Sequence, residues 1–425
     1  MQKVVFRTYG CSNNFSESEA MAGLLEKAGY LSIESTEFEK ADAVVFSMCS
    51  VKGPSVNHCL NSIKKLLKEF PEKKVVVAGC VPKQLISKIK KINKNISIIN
   101  THNIEKIKQA VKETTEFTSF ENKIKLNYPK KRINSVVGIV PILSGCNDNC
   151  TYCFTKQIKG NTFSFPEEMI LGEVKQCIKD GCKEIWLTSQ DNGAYGTEKG
   201  KTKLAELINK MTALQGNFFI RIGMTNPTYI LDCLPELIKA MKNEKVFKFL
   251  HIPIQSGNNE ILKKMNRRYT VQDYKKIVSE LKKAFPEISV STDIICGFPS
   301  ETKKQFEDSL KLIKETKPAT LNISRFQSRP NTLASKMIQL KGAEIKFRSR
   351  KLTVLFRKVS LENNKKWIGK TCKVLIDKKG KRLNQSIGRN SSYKQVIFNE
   401  KIHLGKTVNA KIIGAKRFHL IGKKI

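Results

Sequence analysis

The chain has 425 residues, with 77 Lys and Arg against 38 Asp and Glu and a formal net charge of +39. This length predicts two or three domains, and an apolar content of 40% is enough to build their cores. Because no apolar leader opens the sequence and no apolar run reaches transmembrane length, we expect an intracellular, cytoplasmic protein. Its twelve cysteines then favour metal or redox chemistry over a disulfide framework, since the cytosol keeps thiols reduced.

The excess of positive charge points to a polyanionic partner. Nucleic acid is favoured, because the neutralisation of phosphates releases counterions. The alternative is a lysine-rich proteome, whose composition raises the charge of every protein.

The N-terminal region alternates strand-like and helix-like stretches, the pattern of an open parallel α/β sheet. In chain order these stretches are KVVFRTY, SEAMAGLLEKAGY, ADAVVFSMC, VNHCLNSIKKLLKEF and KVVVAGC. Each strand runs into a cysteine, at Cys11, Cys49 or Cys80. Ligands of such sheets gather outside the carboxyl ends of the strands, so these thiols have a common meeting place. The alternative is three buried free cysteines.

A polar linker is expected from about Thr115 to Lys131. A second βα series begins at VVGIVPIL and continues to about residue 330, which predicts a complete or partial β/α barrel. A long basic helical stretch follows, and short strands separated by Gly and Lys then predict a small β-barrel. The fold class is therefore α/β, with expected domains at 1–115, 132–360 and 362–425.

The loop after the first strand of the second series reads SGCNDNCTYC and places Cys146, Cys150 and Cys153 at C-x3-C-x2-C spacing. A four-iron cluster normally takes four thiolates, so three would leave one iron open to another ligand. Zinc is the alternative. It would need a distant histidine, because none lies between His102 and His251.

This loop resembles that of the radical S-adenosylmethionine (SAM) enzymes, including the aromatic Tyr152 before the last cysteine. TYGCSNNFSESEAMAGLL, SMCSVKGPS and VVVAGCVPKQ resemble the N-terminal domain of the methylthiotransferases. The match extends through LTSQDNGAYG, LHIPIQSGNN, LKKMNRRYT, TDIICGFPSET and a C-terminal segment similar to a TRAM domain. CSVKGPS and CTYCFTK are most similar to the archaeal and eukaryotic branch that acts on threonylcarbamoyladenosine in tRNA.

The resemblance implies an enzyme that converts N6-threonylcarbamoyladenosine at adenosine 37 of tRNA to its 2-methylthio form. It implies a [4Fe-4S] cluster on the loop cysteines, with SAM on the open iron, and a second [4Fe-4S] cluster on Cys11, Cys49 and Cys80. Its partners would be tRNA and a low-potential electron donor of the ferredoxin or flavodoxin type. The alternatives are another methylthiotransferase substrate, such as isopentenyladenosine tRNA or a ribosomal protein, and a non-catalytic iron-sulfur RNA-binding protein.

The same resemblance implies a set of cofactor contacts around the loop. They are Tyr152, Gln190, Asp191, Gln255, Ser256, Arg267, Asp293, Gly297 and Glu301. Arg267 suits a carboxylate and Gly297 allows close backbone approach, with Arg268 expected in solvent. The alternatives are an exchange of the two arginines, Asp191 as a turn cap, and hydrogen bonds at the barrel rim for the other polar residues.

Several further residues have predicted roles. We interpret six cysteines as packing residues and two histidines as hydrogen-bonded structural side chains; they are Cys59, Cys177, Cys182, Cys233, Cys296, Cys372, His58 and His251. Arg389, Tyr393 and Lys394 mix cations with an aromatic ring that could stack on a base, and the alternative is a solvated lysine-rich surface. The run from Lys130 to Arg132 either touches phosphate or is solvated.

Overall fold

The computed structural model describes residues 1–50 and 53–425. Its N-terminal part is a parallel sheet in the order β2-β1-β3-β4-β5-β6. The strands are β1 (Lys3–Tyr9), β2 (Leu31–Ile33), β3 (Ala43–Cys49), β4 (Lys74–Cys80), β5 (Ser97–Asn100) and β6 (Glu116–Phe117). The helices are α1 (Ser12–Lys27), α2 (Gly53–Glu69), α3 (Lys83–Lys90) and α4 (Ile107–Lys112).

Helices cover both faces of this sheet, which explains the nearly continuous apolar character of its central strands. Val44 and Phe46 face the core under α2 and α3, whereas Val45 faces the core under α1 and α4. The alternation follows from the two-residue period of a strand. A three-layer α/β domain results, as the sequence predicts.

The central part is a partial barrel of parallel strands. The strands are β7 (Val137–Pro141), β10 (Glu184–Thr188), β11 (Phe219–Arg221), β12 (Phe249–His251), β13 (Ser289–Cys296) and β14 (Thr320–Arg325). They form two three-stranded sheets, β11-β10-β7 and β12-β13-β14. Isolated parallel bridges such as Met224 to His251 join these sheets. The barrel is therefore open between β7 and β14, in agreement with the predicted partial barrel.

Helices surround the outer face of this barrel. They are α5 (Thr155–Lys159), α6 (Glu167–Lys179), α7 (Leu204–Thr212), α8 (Pro227–Leu231), α9 (Leu234–Met241), α10 (Asn259–Lys264), α11 (Val271–Ala284), α12 (Lys303–Thr316) and α13 (Gly342–Lys365). A small antiparallel pair, β8 (Leu143–Ser144) and β9 (Phe163–Ser164), closes the base of the cysteine loop. Short 3-10 turns lie at Phe38–Lys40, Ile104–Lys106, Asn192–Ala194, Thr197–Lys199 and Leu333–Lys336.

The C-terminal part is a closed barrel in the order β15-β16-β17-β19-β18. Its strands are β15 (Thr371–Lys379), β16 (Ser386–Asn390), β17 (Gln395–Phe398), β18 (Thr407–Ala415) and β19 (Leu420–Lys424). Alternate residues such as Val396 and Phe398 fill its interior, which confirms the predicted small β-barrel. In the part of the chain that the structure describes, no helix combines the length and apolar character needed to cross a membrane.

Two residues of the linker run, Lys130 and Arg132, are neither solvated nor free for phosphate. Lys130 forms a 2.7 Å ion pair with Glu173, and both side chains are only 2% exposed. Arg132 pairs with Asp180 at 2.9 Å and with Glu19 at 3.7 Å. The two predicted roles are therefore wrong for Lys130 and Arg132, which tie the linker to α1 and α6. Lys131, about half exposed, pairs with Glu26.

Replacing Lys130 with Met is expected to destabilise the protein by about 3–5 kcal/mol, because it leaves the Glu173 carboxylate buried without its partner. Urea unfolding measures this change. The double variant Lys130→Met with Glu173→Leu is expected to recover most of the loss, since it removes both buried charges. A double variant as unstable as the single one would contradict the charge explanation.

Of the three residues predicted to bind RNA, Tyr393 instead docks the small barrel onto the central domain. The Tyr393 hydroxyl donates to Glu184 Oε1 at 2.6 Å, and its ring packs against Phe247 and Phe249. Arg389 pairs with Asp377, and Lys394 donates to Asn364. The Tyr393 side chain faces the amino ends of β10 and β12, so the prediction that its ring stacks on RNA is wrong. RNA contact of Arg389 and Lys394 stays a prediction.

Replacing Tyr393 with Phe is expected to cost about 1–3 kcal/mol, because it removes a donor from the buried Glu184 carboxyl group. Urea unfolding measures the cost. Filter binding is expected to give unchanged tRNA affinity for the folded variant. A loss of affinity with unchanged stability would restore Tyr393 as an RNA contact.

Candidate cofactor-binding site

The cysteine loop leaves the carboxyl end of β7 through a turn that only glycine fits. Gly145 has φ of +83°, and a Cβ atom there would lie 1.8 Å from the carbonyl oxygen of Asn161. The N–H of Gly145 donates to Gln190 Oε1 at 2.9 Å. The N–H of Cys146 donates to the carbonyl of Gly160 at 3.0 Å. Gln190 therefore fixes the start of the loop.

The second half of the loop is held by the end of α10. The N–H of Thr151 donates to the carbonyl of Met265 at 3.1 Å, and the Thr151 hydroxyl donates to the carbonyl of Lys264 at 2.8 Å. The three loop cysteines line a cavity of about 390 Å³, a size typical of small-molecule sites. Asn331, Thr332 and Leu333 form part of its wall, and its lining includes no histidine.

The sulfur atoms of the loop accept N–H hydrogen bonds. Arg267 NH1 donates to Cys150 Sγ at 3.0 Å, and the N–H of Thr155 donates to Cys153 Sγ at 3.4 Å. Burial raises the pKa of the Cys150 thiol, and the Arg267 guanidinium opposes this rise. Such donors favour thiolate over thiol, which is the form that binds metal.

The two neighbouring arginines differ in solvent exposure, and Arg268 is the exposed one, as predicted. Arg267 is buried, donates from Nε to the Tyr269 hydroxyl at 2.8 Å, and lies 3.5 Å from Asp148 Oδ2. Arg268 is about half exposed and donates to Asp148 Oδ1 at 2.7 Å. Asp148 also accepts a bond from Asn226. Asp148, inside the loop, thus fixes Arg267 beside Cys150.

Asp191 caps the turn that follows β10. Its Oδ1 accepts from the N–H of Gly193 at 3.0 Å and from that of Asn226 at 2.9 Å. Burial raises its pKa to about 7. The structure thus supports the capping alternative, and contact of Asp191 with SAM stays a prediction.

Three of the predicted contacts, Gln255, Ser256 and Asp293, lie in β13 and in the segment that follows β12. Gln255 has φ of +72°, and its N–H donates to the carbonyl of Asp293 at 2.8 Å. The Asp293 carboxylate accepts from His251 Nε2 at 2.8 Å, and Ser256 Oγ accepts from the N–H of Asn258 at 3.3 Å. These bonds give each residue a structural role at the rim. They also confirm the interpretation of His251.

Gly297 and Glu301 form a buried unit with α13. Gly297 has φ of +76°, and an added Cβ would lie 2.6 Å from Ile345 Cγ1, so the space beside it is filled by a side chain. Glu301 Oε2 accepts from the N–H of Gly297 at 3.0 Å and from Arg348 NH1 at 2.7 Å. Packing against α13 thus requires a glycine here, and contact of Gly297 and Glu301 with the cofactor stays a prediction.

The Tyr152 ring packs edge-on against Phe298, with centroids 6.3 Å apart. This contact turns the ring toward a small apolar cluster with Ile261 and Met265. The backbone of Tyr152 remains in the loop. Contact of that backbone with SAM stays a prediction.

The other three-cysteine set lies at the carboxyl edge of the N-terminal sheet. Cys49 and Cys80 are paired in the register of β3 and β4, and Cys11 caps α1 directly after β1. The Cys11 thiol donates to Asn14 Oδ1 at 3.4 Å, and Asn14 Nδ2 lies 4.0 Å from Cys80 Sγ. A hydrogen bond with Cys49, followed by burial, raises the pKa of Cys80 well above its ordinary value. We name this trio the auxiliary set.

The auxiliary set and the loop cysteines share one wall. Ser12 Oγ and Thr188 Oγ1 are 2.5 Å apart, which joins the start of α1 to the end of β10. Phe154 and Ile158, which follow the loop, form a buried cluster with Cys80. Arg329 interacts electrostatically with both Cys49 and Cys153. Two sets far apart in sequence thus meet at the boundary between the first two domains.

The donor chemistry fits iron-sulfur ligation. Among the described residues, no three His, Cys, Asp or Glu side chains are grouped as they would be around a single metal ion. Each thiolate of a four-iron cluster binds a different iron, so its sulfurs stand further apart than the ligands of one ion. The two sets of three thiols, with N–H donors nearby, provide the type of ligand that a four-iron cluster binds.

Four residues of this region are absent from the sequence-based prediction. They are Asp148, Lys159, Asn226 and Arg329. The position of Asp148 between two cysteines was a usable signal. The other three come from segments that are distant in sequence, and no local sequence pattern predicts that these segments pack against the loop.

Known families match all three parts of the chain. Residues 3–101 match the uncharacterized protein family UPF0004, residues 140–313 match the radical SAM superfamily, and residues 347–425 match the TRAM domain. A solved radical S-adenosylmethionine methyltransferase from Kitasatospora setae superposes with a TM-score of 0.52 at 11% identity. The superposition covers 79% of this chain and 74% of the methyltransferase chain. At this low identity the likeness supports the fold alone.

Two curated relatives match the whole length of the chain. A probable threonylcarbamoyladenosine tRNA methylthiotransferase from Pyrococcus horikoshii is 41% identical, with 100% of both chains aligned. The threonylcarbamoyladenosine tRNA methylthiotransferase of Homo sapiens is 37% identical over 100% of this chain and 74% of its own.

Proposed function

The chain belongs to the family of threonylcarbamoyladenosine tRNA methylthiotransferases, and from this membership we propose that it converts N6-threonylcarbamoyladenosine at adenosine 37 of tRNA to its 2-methylthio form. The observation that carries the proposal is the meeting of two three-cysteine sets at one domain boundary. Sulfur insertion needs a radical generator and a sulfur carrier side by side. One set of thiols is available for each.

Cys146, Cys150 and Cys153 would hold a [4Fe-4S] cluster, and the auxiliary set would hold a second. When bound, the first cluster with SAM supplies a 5′-deoxyadenosyl radical and the second presents sulfur to the substrate. The protein's own part is to hold these groups apart by a fixed distance. The Ser12–Thr188 contact, which joins the two domains, would help to keep that distance constant.

Arg267 would favour the thiolate form of Cys150, a ligand of the first cluster, because it donates to Cys150 Sγ from a buried position. Gln190 would keep the loop in its ligating conformation through the N–H of Gly145. The polar residues at the strand ends would contact SAM from the same side of the barrel.

The net charge of +39 and the TRAM match support tRNA as the polyanionic partner. The turn between β18 and β19 exposes Lys416, Arg417 and Phe418, and the Phe418 side chain is 64% exposed. An exposed ring beside two cations suits stacking on an RNA base. We assign the RNA contact of the small barrel to this turn, in place of the half-buried Tyr393. A low-potential ferredoxin or flavodoxin would supply electrons.

Two measurements test the proposal. Anaerobically reconstituted protein is expected to bind about eight irons and, with dithionite and SAM, to release 5′-deoxyadenosine. Mass spectrometry of tRNA nucleosides from a deletion strain is expected to show loss of methylthio-threonylcarbamoyladenosine. Clusters without cleavage would refute the radical reaction. An unchanged nucleoside would refute the substrate, and loss of a different methylthio product would indicate the alternative substrates.

A further inference from the structure

A group of buried charges lies directly behind the auxiliary set. Glu17 Oε1 accepts from Lys125 Nζ at 2.6 Å, from Lys159 Nζ at 3.3 Å and from the Thr101 hydroxyl at 2.5 Å. Asn13 Nδ2 adds a fourth bond at 2.9 Å. The side chains of Glu17, Lys125 and Lys159 are 2%, 6% and 4% exposed. We name Glu17, Thr101, Lys125 and Lys159 the buried charge group.

The buried charge group has two ammonium groups and one carboxylate. Lys125 and Lys159 lower the pKa of Glu17 to about 2 against the opposing effect of burial, so the carboxylate is ionised. Burial lowers the pKa of Lys125, whereas the pKa of Lys159 is raised despite burial, because Glu17, Cys80 and Cys11 stabilise its charge. One buried carboxylate does not balance two cations, and an excess buried charge is costly unless an anion lies nearby.

The anion that this excess would face is the auxiliary set. Ile158, the neighbour of Lys159 on α5, packs against Cys80. Glu17 lies one turn along α1 from Asn14, which approaches Cys80 Sγ. His102, the other titratable group here, bonds through Nε2 to the carbonyl of Ile158, and burial lowers its pKa. Lys159 thus comes from the central domain and places its charge behind thiols of the N-terminal domain.

We propose that Lys159 is a fixed positive charge, supplied across the domain boundary, that raises the reduction potential of the auxiliary cluster, with Glu17 opposing it. This inference rests on the auxiliary cluster of the proposed function. Reduction adds an electron to an already anionic cluster, so a buried cation stabilises the reduced state more than the oxidised state. A buried carboxylate does the reverse.

The two charges therefore predict shifts of opposite sign. Lys159→Met is expected to move the midpoint potential of the auxiliary cluster to more negative values. Glu17→Gln, which leaves both lysines in place, is expected to move it to more positive values. Lys159→Arg keeps the charge and is expected to stay close to the parent. Lys210→Met, which removes an exposed lysine of the same charge, is the matched control and is expected to cause no shift.

The experiment uses the full-length chain with Cys146, Cys150 and Cys153 replaced by Ala, so that only the auxiliary cluster is loaded. Iron content is measured first, and a redox titration followed by electron paramagnetic resonance then gives the midpoint potential. A parent that binds no iron would refute the auxiliary cluster and so the proposed function. A parent and variants with about four irons each but equal potentials would overturn the role of Lys159 alone. Shifts of the same sign in Lys159→Met and Glu17→Gln would also overturn it.

Discussion

Alanine at Cys11, Cys49 or Cys80 is expected to abolish methylthiolation of tRNA while reductive cleavage of SAM continues. The reason is that the thiols of the cysteine loop, and not these, would bind the cluster that cleaves SAM, and hydrogen bonds from Gln190 and α10 fix that loop. Loss of partners one shell beyond a metal costs about 10–100-fold, so loss of a direct ligand is expected to cost at least about 100-fold. Methylthiolated nucleoside and 5′-deoxyadenosine are measured in the same reaction.

Two controls define this result. Cys59→Ala removes a buried cysteine of the same domain that packs in the core under α2, and it is expected to leave both products unchanged in the folded protein. Alanine at Cys146, Cys150 or Cys153 is expected to abolish both products. If an auxiliary-set variant with intact fold also lost SAM cleavage, the division of labour between the two sets would be wrong.

The position of the auxiliary set was predictable because its signal is local. Cys49 and Cys80 end apolar strands, and parallel strands of one sheet place their carboxyl ends together. The cysteine loop was predictable for the same reason, since it follows β7 at the catalytic edge of a βα series. In both cases the apolar pattern identifies the strand, and the position of the cysteine at the strand's carboxyl end determines where the thiol lies.

Domain docking was not predictable in this way. Tyr393 and Arg389 look like an RNA-binding pair in sequence, because an aromatic beside a cation is equally suited to a base and to a buried interface. The choice depends on Glu184 and Phe247, which come from a different domain. Lys130 likewise looks like part of a solvated run until α6 brings Glu173 against it.

Backbone geometry explains other differences at the site. Gly297 was predicted to admit a cofactor, and the structure adds a second reason for a glycine there, since Ile345 of α13 fills the space beside it. The sequence predicted Asp191 equally as a contact of SAM or as a turn cap. In the structure, two backbone N–H groups donate to its Oδ1. A sequence shows which residue type permits close approach or accepts a bond. It does not show which residue of a distant segment packs against that position in the folded protein.

Arg267→Met is expected to reduce SAM cleavage by about 10–100-fold, because it removes the donor to Cys150 Sγ from a site enclosed by Tyr269 and Asp148. Arg267→Lys is expected to recover only part of the activity. It retains the charge, but a lysine lacks the planar fork that reaches both Cys150 and Tyr269. The rate of 5′-deoxyadenosine release and the iron content of a protein with the auxiliary set replaced by Ala are measured.

Arg268→Met is the matched control, since it removes the same group one residue away. Its side chain is 55% exposed, and an exposed ion pair contributes about 0–1 kcal/mol, so cleavage is expected to fall by at most about fivefold. Equal losses in the two variants would show that Asp148, which both arginines contact, is the important partner. Normal cleavage in Arg267→Met would mean that the bond to Cys150 has no part in maintaining the cluster. A selective loss in Arg267→Met would identify the buried guanidinium as the group that the loop requires.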